Sequence, residues 1–174
     1  GLDISERMLA VAREKRGPRA IAYRRCAIED ACFPAGSFDI VLSSLAFHYV
    51  QDWPGLVQNI SRWLCPGGWL VFSTEHPVFT AEGSQQWVYG EDGRILHFPV
   101  DHYYEEGPRT AVFLGEKVTK YHRTLTTYLQ ALWENGFDVC SVREPAPPAA
   151  MLDIPGMRDE LRRPMMLLVK ALRR

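Results

Sequence analysis

The chain has 174 residues, 47% hydrophobic and 24% charged, with a formal net charge of -1. Such a length suits a single domain, 1–174, with a substantial core, and a near-neutral chain without a long basic run lacks the electrostatic footprint of a nucleic-acid binder. No apolar stretch approaches the ~20 residues that span a bilayer and no signal-peptide pattern opens the chain, so no membrane partner is expected and the expected location is cytoplasmic.

The stretch "GLDISERMLAVAREKRG" reads as the end of a strand turning into a helix. Ser5 stands where an N-cap belongs, Met8, Leu9 and Ala12 share a face, and Arg13, Lys15 and Arg16 gather at the end that favours cations. Gly17 and Pro18 should stop the helix. "AIAYRRCAIED" alternates as a short strand, "PAGS" is a turn, and "FDIVLSSLAF" has the apolar, β-branched character of a central strand covered on both faces. Leu56, Val57, Ile60, Trp63 and Leu64 fall at helical spacing, and "CPGG" separates that helix from the strand "WLVFST".

Residues 75–122 lack long periodicity and read as an insertion carrying short strands over the ends of the sheet. Regularity returns with a helix whose face is Leu125, Tyr128, Leu129, Leu132 and Trp133, stopped by Asn135-Gly136. The strands "FDVCSVREP" and "PMMLLVKAL" close the chain. The alternation of strands and helices implies an α/β layered sheet. Cys26, Cys32, Cys65 and Cys140 lie among apolar neighbours without a CxxC pair, which predicts reduced core thiols and no metal site.

Open α/β sheets bind ligands beyond the carboxyl ends of their strands, which directs attention to Asp3, Glu29, Asp30, Ser43 to Tyr49, and Thr74 to His76. A carboxylate at such an end accepts hydrogen bonds from ribose hydroxyls, although an acid at a helix N-terminus is also stabilised by the dipole alone.

Taken in order, "GLDISERML", "AIEDACFPAGSFDIVLSSLAFHYVQD" and "LCPGGWLVFSTEHP" resemble the class I S-adenosylmethionine-dependent methyltransferases. The resemblance spans the second to the seventh strand of that fold. It implies a Rossmann-like sheet, mostly parallel with an antiparallel last strand, and S-adenosylmethionine as cofactor. Carried over residue by residue, it makes Asp3 the ribose-binding acid with Ile4 and Met8 beside the adenine. Ile28 and Glu29 or Asp30 take the adenine edge, and Ser43, Ser44 and Leu45 flank the methionyl part. Pro66-Gly67-Gly68 is a structural turn. The glycine-rich loop that follows the first strand in this family is absent before Asp3, and residue 1 is Gly, so the fold is expected to be truncated at its N-terminus. Loss of a central strand exposes two edges, which a homodimer or a rearranged sheet would cover.

Methyl transfer from a sulfonium is an in-line displacement that needs alignment and exclusion of water, with a general base only when the nucleophile arrives protonated. His76, oriented by Glu75 and with its turn fixed by Pro77, and His48 are the candidate bases, His48 being equally readable as a packed, hydrogen-bonded histidine. Tyr49, Glu75, Tyr121 and Arg123 are candidates for contact with the acceptor; Arg123 also reads as a solvated charge at a helix start. Phe79, Trp87, Tyr89, Tyr103 and Tyr104 form either a lid over the active site or a satellite core.

The expected activity is methyl transfer to an O, N or C nucleophile of a small molecule. One alternative is a nicotinamide-dependent dehydrogenase, which the absence of a Tyr-x-x-x-Lys pair disfavours; another is a non-catalytic fragment or binding module of the same fold. "SSLA" stands where nucleic-acid methyltransferases carry Asn-Pro-Pro-aromatic.

Overall fold

A computed structural model describes residues 1–16, 21–113 and 115–174. They form two compact units, Gly1–Pro34 and Ala35–Arg174. The expected helix stop at Gly17 and Pro18 lies outside the described residues.

In the first unit, β1 (Leu2–Asp3) leads into α1 (Glu6–Arg16) and pairs in parallel with β2 (Arg24–Arg25). Ser5 caps α1 as expected, its Oγ accepting the Met8 N–H at 3.3 Å and its carbonyl the Leu9 N–H at 3.1 Å. The long strand read into "AIAYRRCAIED" contracts to β2, because residues 28–30 turn instead, the Asp30 N–H donating to the Ala27 carbonyl at 3.2 Å.

The second unit begins with β3 (Phe38–Ser44), α2 (Trp53–Trp63) and β4 (Leu64–Glu75). The insertion follows as α3 (Pro77–Thr80), β5 (Val88–Tyr89), β6 (Ile95–His97), β7 (Gly107–Phe113) and β8 (Glu116–His122). It closes with α4 (Leu125–Glu134), β9 (Phe137–Arg143) and β10 (Met166–Arg173). The main sheet has the order β3-β4-β10-β9, with β3 parallel to β4 and β10 antiparallel to both its neighbours. Thus β3, β4 and β9 run one way and β10 alone runs back, the mostly parallel sheet with a reversed last strand that the family resemblance implied.

The helices sit where their apolar stripes require. Asp52 caps α2, its Oδ1 accepting the Gly55 N–H at 2.9 Å, and Leu56, Val57, Ile60 and Trp63 are all buried. Thr124 caps α4 through its Oγ1 and the Thr127 N–H, 3.1 Å apart, and Gly136 ends the helix with φ of 82°. The buried face of α4 is Tyr128, Ala131 and Leu132; Trp133, expected on that face, is 69% exposed, about 100° around the helix from Leu132.

Two further expectations are corrected. Among the described strands β3 has one partner, β4, so it lies at the sheet edge rather than its centre, with Ile40 60% and Leu42 75% exposed. The cysteines are free but not core residues: Cys32 and Cys140 are exposed, and Cys26 and Cys65 half-buried.

β4 also starts earlier than "CPGG" suggested. Phe38 faces Leu64 while Ile40 faces Trp69, so residues 65–68 form a bulge inside the strand, with Gly67 at φ of 77°. A Cβ on Gly68 would lie 2.9 Å from the Cys65 carbonyl oxygen and 3.0 Å from that of Asp39. Gly68→Ala should therefore cost about 1–3 kcal/mol, read as a lower urea midpoint at unchanged slope.

Candidate active site

The first unit collects six of the expected residues at the carboxyl ends of β1 and β2. Asp3 Oδ1 accepts the Ser5 N–H at 2.7 Å, which orients the carboxylate, and the Asp3 carbonyl accepts the Cys26 N–H at 3.1 Å. Ile4 and Met8, four residues apart and both exposed, flank the start of α1. Ile28 is half-buried and Glu29 and Asp30 are exposed in the turn after β2.

The second unit gathers the rest at the carboxyl edge of β3 and β4. Ser43 points inward and Ser44 outward at the end of β3. Leu45 follows with φ of 51°, a conformation costly for a residue with a branched side chain, held by bonds from its N–H to the Ser73 carbonyl at 2.9 Å and Ser73 Oγ at 3.1 Å.

The residue that organises this edge is Glu75, at the end of β4. Its Oε1 accepts from Lys120 Nζ on β8 at 2.5 Å and its Oε2 from Gln85 Nε2 at 2.7 Å, while Lys120 also donates to Gln85 Oε1 at 2.9 Å. These bonds close a ring around an ammonium that is 2% exposed. Gln85 itself has φ of 60°. Gln85 and Lys120 were missed in the sequence. A signal existed for the lysine, since in "EKVTKYH" it falls in phase with Val118 and His122 on the inward face of β8.

His48, in a 3-10 turn after β3, is buried beside this ring. Its Nδ1 accepts the Glu75 N–H at 3.3 Å, which places the proton on Nε2, 3.9 Å from Glu75 Oε1. Burial pushes its pKa down to about 4 against the pull of Glu75, with Lys120 and Arg123 adding to the depression. Tyr49 is partly exposed, its ring 4.3 Å from that of His48, and burial raises its pKa. Thr74 Oγ1 lies 3.3 Å from the Tyr128 hydroxyl and 3.4 Å from His48 Nδ1.

His76 has a different partner from the one expected. Glu75 is committed to Lys120 and Gln85, and it is Glu144, just beyond β9, that stands 2.7 Å from His76 Nε2. His76 Nδ1 accepts the Val78 N–H at 3.0 Å and so caps α3, with Pro77 at its first position as expected. Burial lowers the pKa of His76, and Glu144 opposes the shift.

Arg123 is not a solvated charge. It is buried, donating from Nη2 to the Val50 carbonyl and to that of Gln51 at 2.8 Å, and from Nη1 to the Tyr121 carbonyl at 3.3 Å. Tyr121 donates its hydroxyl to Gln51 Oε1 at 3.3 Å, and both residues line a cavity of about 250 Å³ with Glu106 and His122. Of the insertion's aromatics, Phe79 and Trp87 pack on Phe98 at centroid distances of 5.8 and 5.3 Å, whereas Tyr89 and Tyr104 are exposed. Among the described residues no group of three metal-ligating side chains occurs and no helix is long and apolar enough to cross a membrane.

Residues 1–72 match the family model of the methyltransferase domain. A crystal structure of a putative S-adenosylmethionine-dependent methyltransferase from Listeria monocytogenes superposes with a TM-score of 0.95 at 48% identity, covering 100% of this chain and 78% of that one. The chain belongs to the S-adenosylmethionine-dependent methyltransferases. A methyltransferase of this kind from Mesorhizobium loti is 43% identical, with a TM-score of 0.88 over 99% of this chain and 79% of its own. An uncharacterized protein of Haemophilus influenzae is 31% identical over 98% of this chain and 70% of its own length. This methyltransferase thus has the Rossmann-like fold that its motifs implied, built around S-adenosylmethionine chemistry.

Two outcomes test the geometry. Lys120→Met leaves the Glu75 carboxylate without its cation and should destabilise the protein by about 3–5 kcal/mol, most of which Lys120→Met combined with Glu75→Gln recovers; a double-mutant cycle of urea melts reads this directly. For His48, the folded pKa of about 4 lies below the 6.5 of an unconstrained imidazole, so between these values the unfolded chain binds more protons. Its contribution, about 3 kcal/mol, is complete above pH 6.5 and lost as pH falls to 4. The stability of His48→Gln should accordingly fall less steeply than that of the unsubstituted chain over this window.

Proposed function

We propose that this methyltransferase acts in the cytoplasm on a small molecule, methylating an O, N or C nucleophile. The observation that carries the reading is the ring of Glu75, Lys120 and Gln85, a buried ionic cluster beside two left-handed residues, Leu45 and Gln85, at the ligand-binding edge of the sheet. Buried charge and backbone strain both cost stability, and their coincidence at that edge argues for catalysis over a purely structural module.

The residues of the first unit fit the donor. The fixed carboxylate of Asp3 suits ribose hydroxyls, and the exposed apolar pair Ile4 and Met8 beside it suits a flat purine, with Ile28 and Glu29 or Asp30 at its edge. In the second unit Ser43, Ser44 and Leu45 are assigned to the methionyl part. The cofactor supplies a methyl group on a sulfonium.

The protein's part is alignment and dryness. The residues at this edge would hold the acceptor's nucleophile in line with the methyl group that the bound cofactor would supply. The insertion, 75–122, covers the edge and excludes water, with Tyr49 and Tyr121 as contacts for the acceptor. We assign His48 and His76 to positioning: through Nδ1, His48 holds the Glu75 backbone and His76 caps the α3 turn, with Glu144 beside the His76 Nε2. Arg123 likewise holds the Val50–Gln51 backbone.

Calorimetry with S-adenosylhomocysteine on the protein as its gene encodes it tests the reading. Asp3→Ala should weaken binding by about tenfold or more. Glu75→Gln combined with Lys120→Met, which leaves no buried charge without its partner, should leave that binding intact while lowering kcat by about a hundredfold through lost alignment at this edge. No binding of S-adenosylhomocysteine at all would overturn the reading in favour of a non-catalytic module.

A further inference from the structure

Beyond β9 and before β10 lies a cavity of about 220 Å³ lined by residues 144–146 and 160–164. Its place follows from the sheet register. β10 runs against β4 and β9, Met166 facing Glu75 and Leu168 facing Arg143, so the segments after Arg143 and before Met166 meet beyond the carboxyl edge of β4 and β9. This is the edge at which open α/β sheets bind ligands.

The chemistry of the cavity centres on Arg163. Its side chain is 5% exposed and its guanidinium carbon sits 4.5, 4.6 and 4.5 Å from the ring centroids of Phe79, Trp87 and Phe98. Among the described residues a single carboxylate answers the charge: Nη2 meets Glu160 Oε1 at 3.1 Å. Arg163 Nε and Nη1 and Glu160 Oε2 are buried with no hydrogen-bond partner among the described residues. Aromatic faces recover part of the desolvation cost, but N–H groups without an acceptor remain expensive. Burial accordingly lowers the pKa of Arg163 against the pull of Glu160.

The other charged residues lining the cavity are committed elsewhere. Glu144 faces His76, and Arg162 donates to the Ile95 and Leu96 carbonyls and to Asp159. Glu160 belongs to a four-residue 3-10 turn, Asp159–Arg162, and reaches Arg163 from only three positions away. It satisfies one nitrogen of three and leaves its own second oxygen idle, so a better-fitting oxyanion would displace it at small cost.

We propose that this cavity is the subsite for an oxyanion, carboxylate or phosphate, carried by the methyl acceptor, which binds Arg163 in place of Glu160. The identity of the ligand as the acceptor rests on the methyl-transfer reading above; the oxyanion site does not.

The test follows the Arg163 Nε–H resonance by NMR while acetate or inorganic phosphate is added. The site predicts a saturable shift with at least one of the two, and the one that binds more tightly names the source. Glu160→Gln removes the internal competitor and should tighten the binding several-fold, whereas Arg163→Lys, with a single point charge for a planar fork and followed through the indole N–H of Trp87, whose ring lies 4.6 Å from the guanidinium carbon, should weaken it by about tenfold or more. A merely structural ion pair would lose stability in both variants and tighten in neither. Absence of a saturable shift with both anions, or an unchanged affinity in Glu160→Gln, overturns the site. Binding of S-adenosylhomocysteine, measured on the unsubstituted protein, reports separately on the methyl-transfer reading.

Discussion

An ammonium group removed from water must be neutralised where it lies, and much of the second unit is arranged around meeting that demand for Lys120. The ring it forms with Glu75 and Gln85 joins the end of β4, the loop after α3 and strand β8, three segments far apart in sequence. The left-handed backbone at Gln85 is tolerable because two strong bonds hold its side chain, one to each charge. His48 is then fixed from the same point, its Nδ1 on the Glu75 backbone. Arg123 fastens the strand that carries Lys120 to the Val50–Gln51 backbone. The carboxyl edge is therefore rigid at β4 for electrostatic reasons rather than by apolar packing alone.

A second cation is buried in the same unit on different terms. Arg163 is surrounded by Phe79, Trp87 and Phe98, and among the described residues it meets one carboxylate and most of its N–H groups lack acceptors. Lys120 has a partner for its charge and a further acceptor in Gln85, which makes its site closed. The contrast divides the edge into a fixed half at β4 and β8 and a half at β9 and β10 where polar groups remain unmatched. Unmatched buried donors and acceptors in a native fold call for a ligand, water or a function.

Much of this was legible in the sequence. Leu56, Val57, Ile60 and Trp63 declared α2 by spacing, and the order of motifs carried the resemblance to the family, which implied the reversed last strand. The failures share a cause. "FDIVLSSLAF" is apolar enough for a central strand, but strand centrality depends on how many partners pair with it, and β3 has only β4 among the described residues. The assignment of Glu75 to His76 followed from adjacency in the chain, whereas successive residues at a strand end point to opposite sides, which sends Glu75 to Lys120 and leaves His76 to Glu144.

Local pattern thus determined most helices and strands, the Ser5 cap and the Asn135-Gly136 stop, because each depends on periods of two or 3.6 residues or on short motifs with a fixed backbone role; the motif order added the resemblance that singled out Asp3. Tertiary structure alone decided which partners each buried charge meets. Lys120 meets Glu75 across 45 positions and Arg123 meets Val50 across 73. Only the folded chain removes these groups from water and makes their pairing necessary, so no local period announces them.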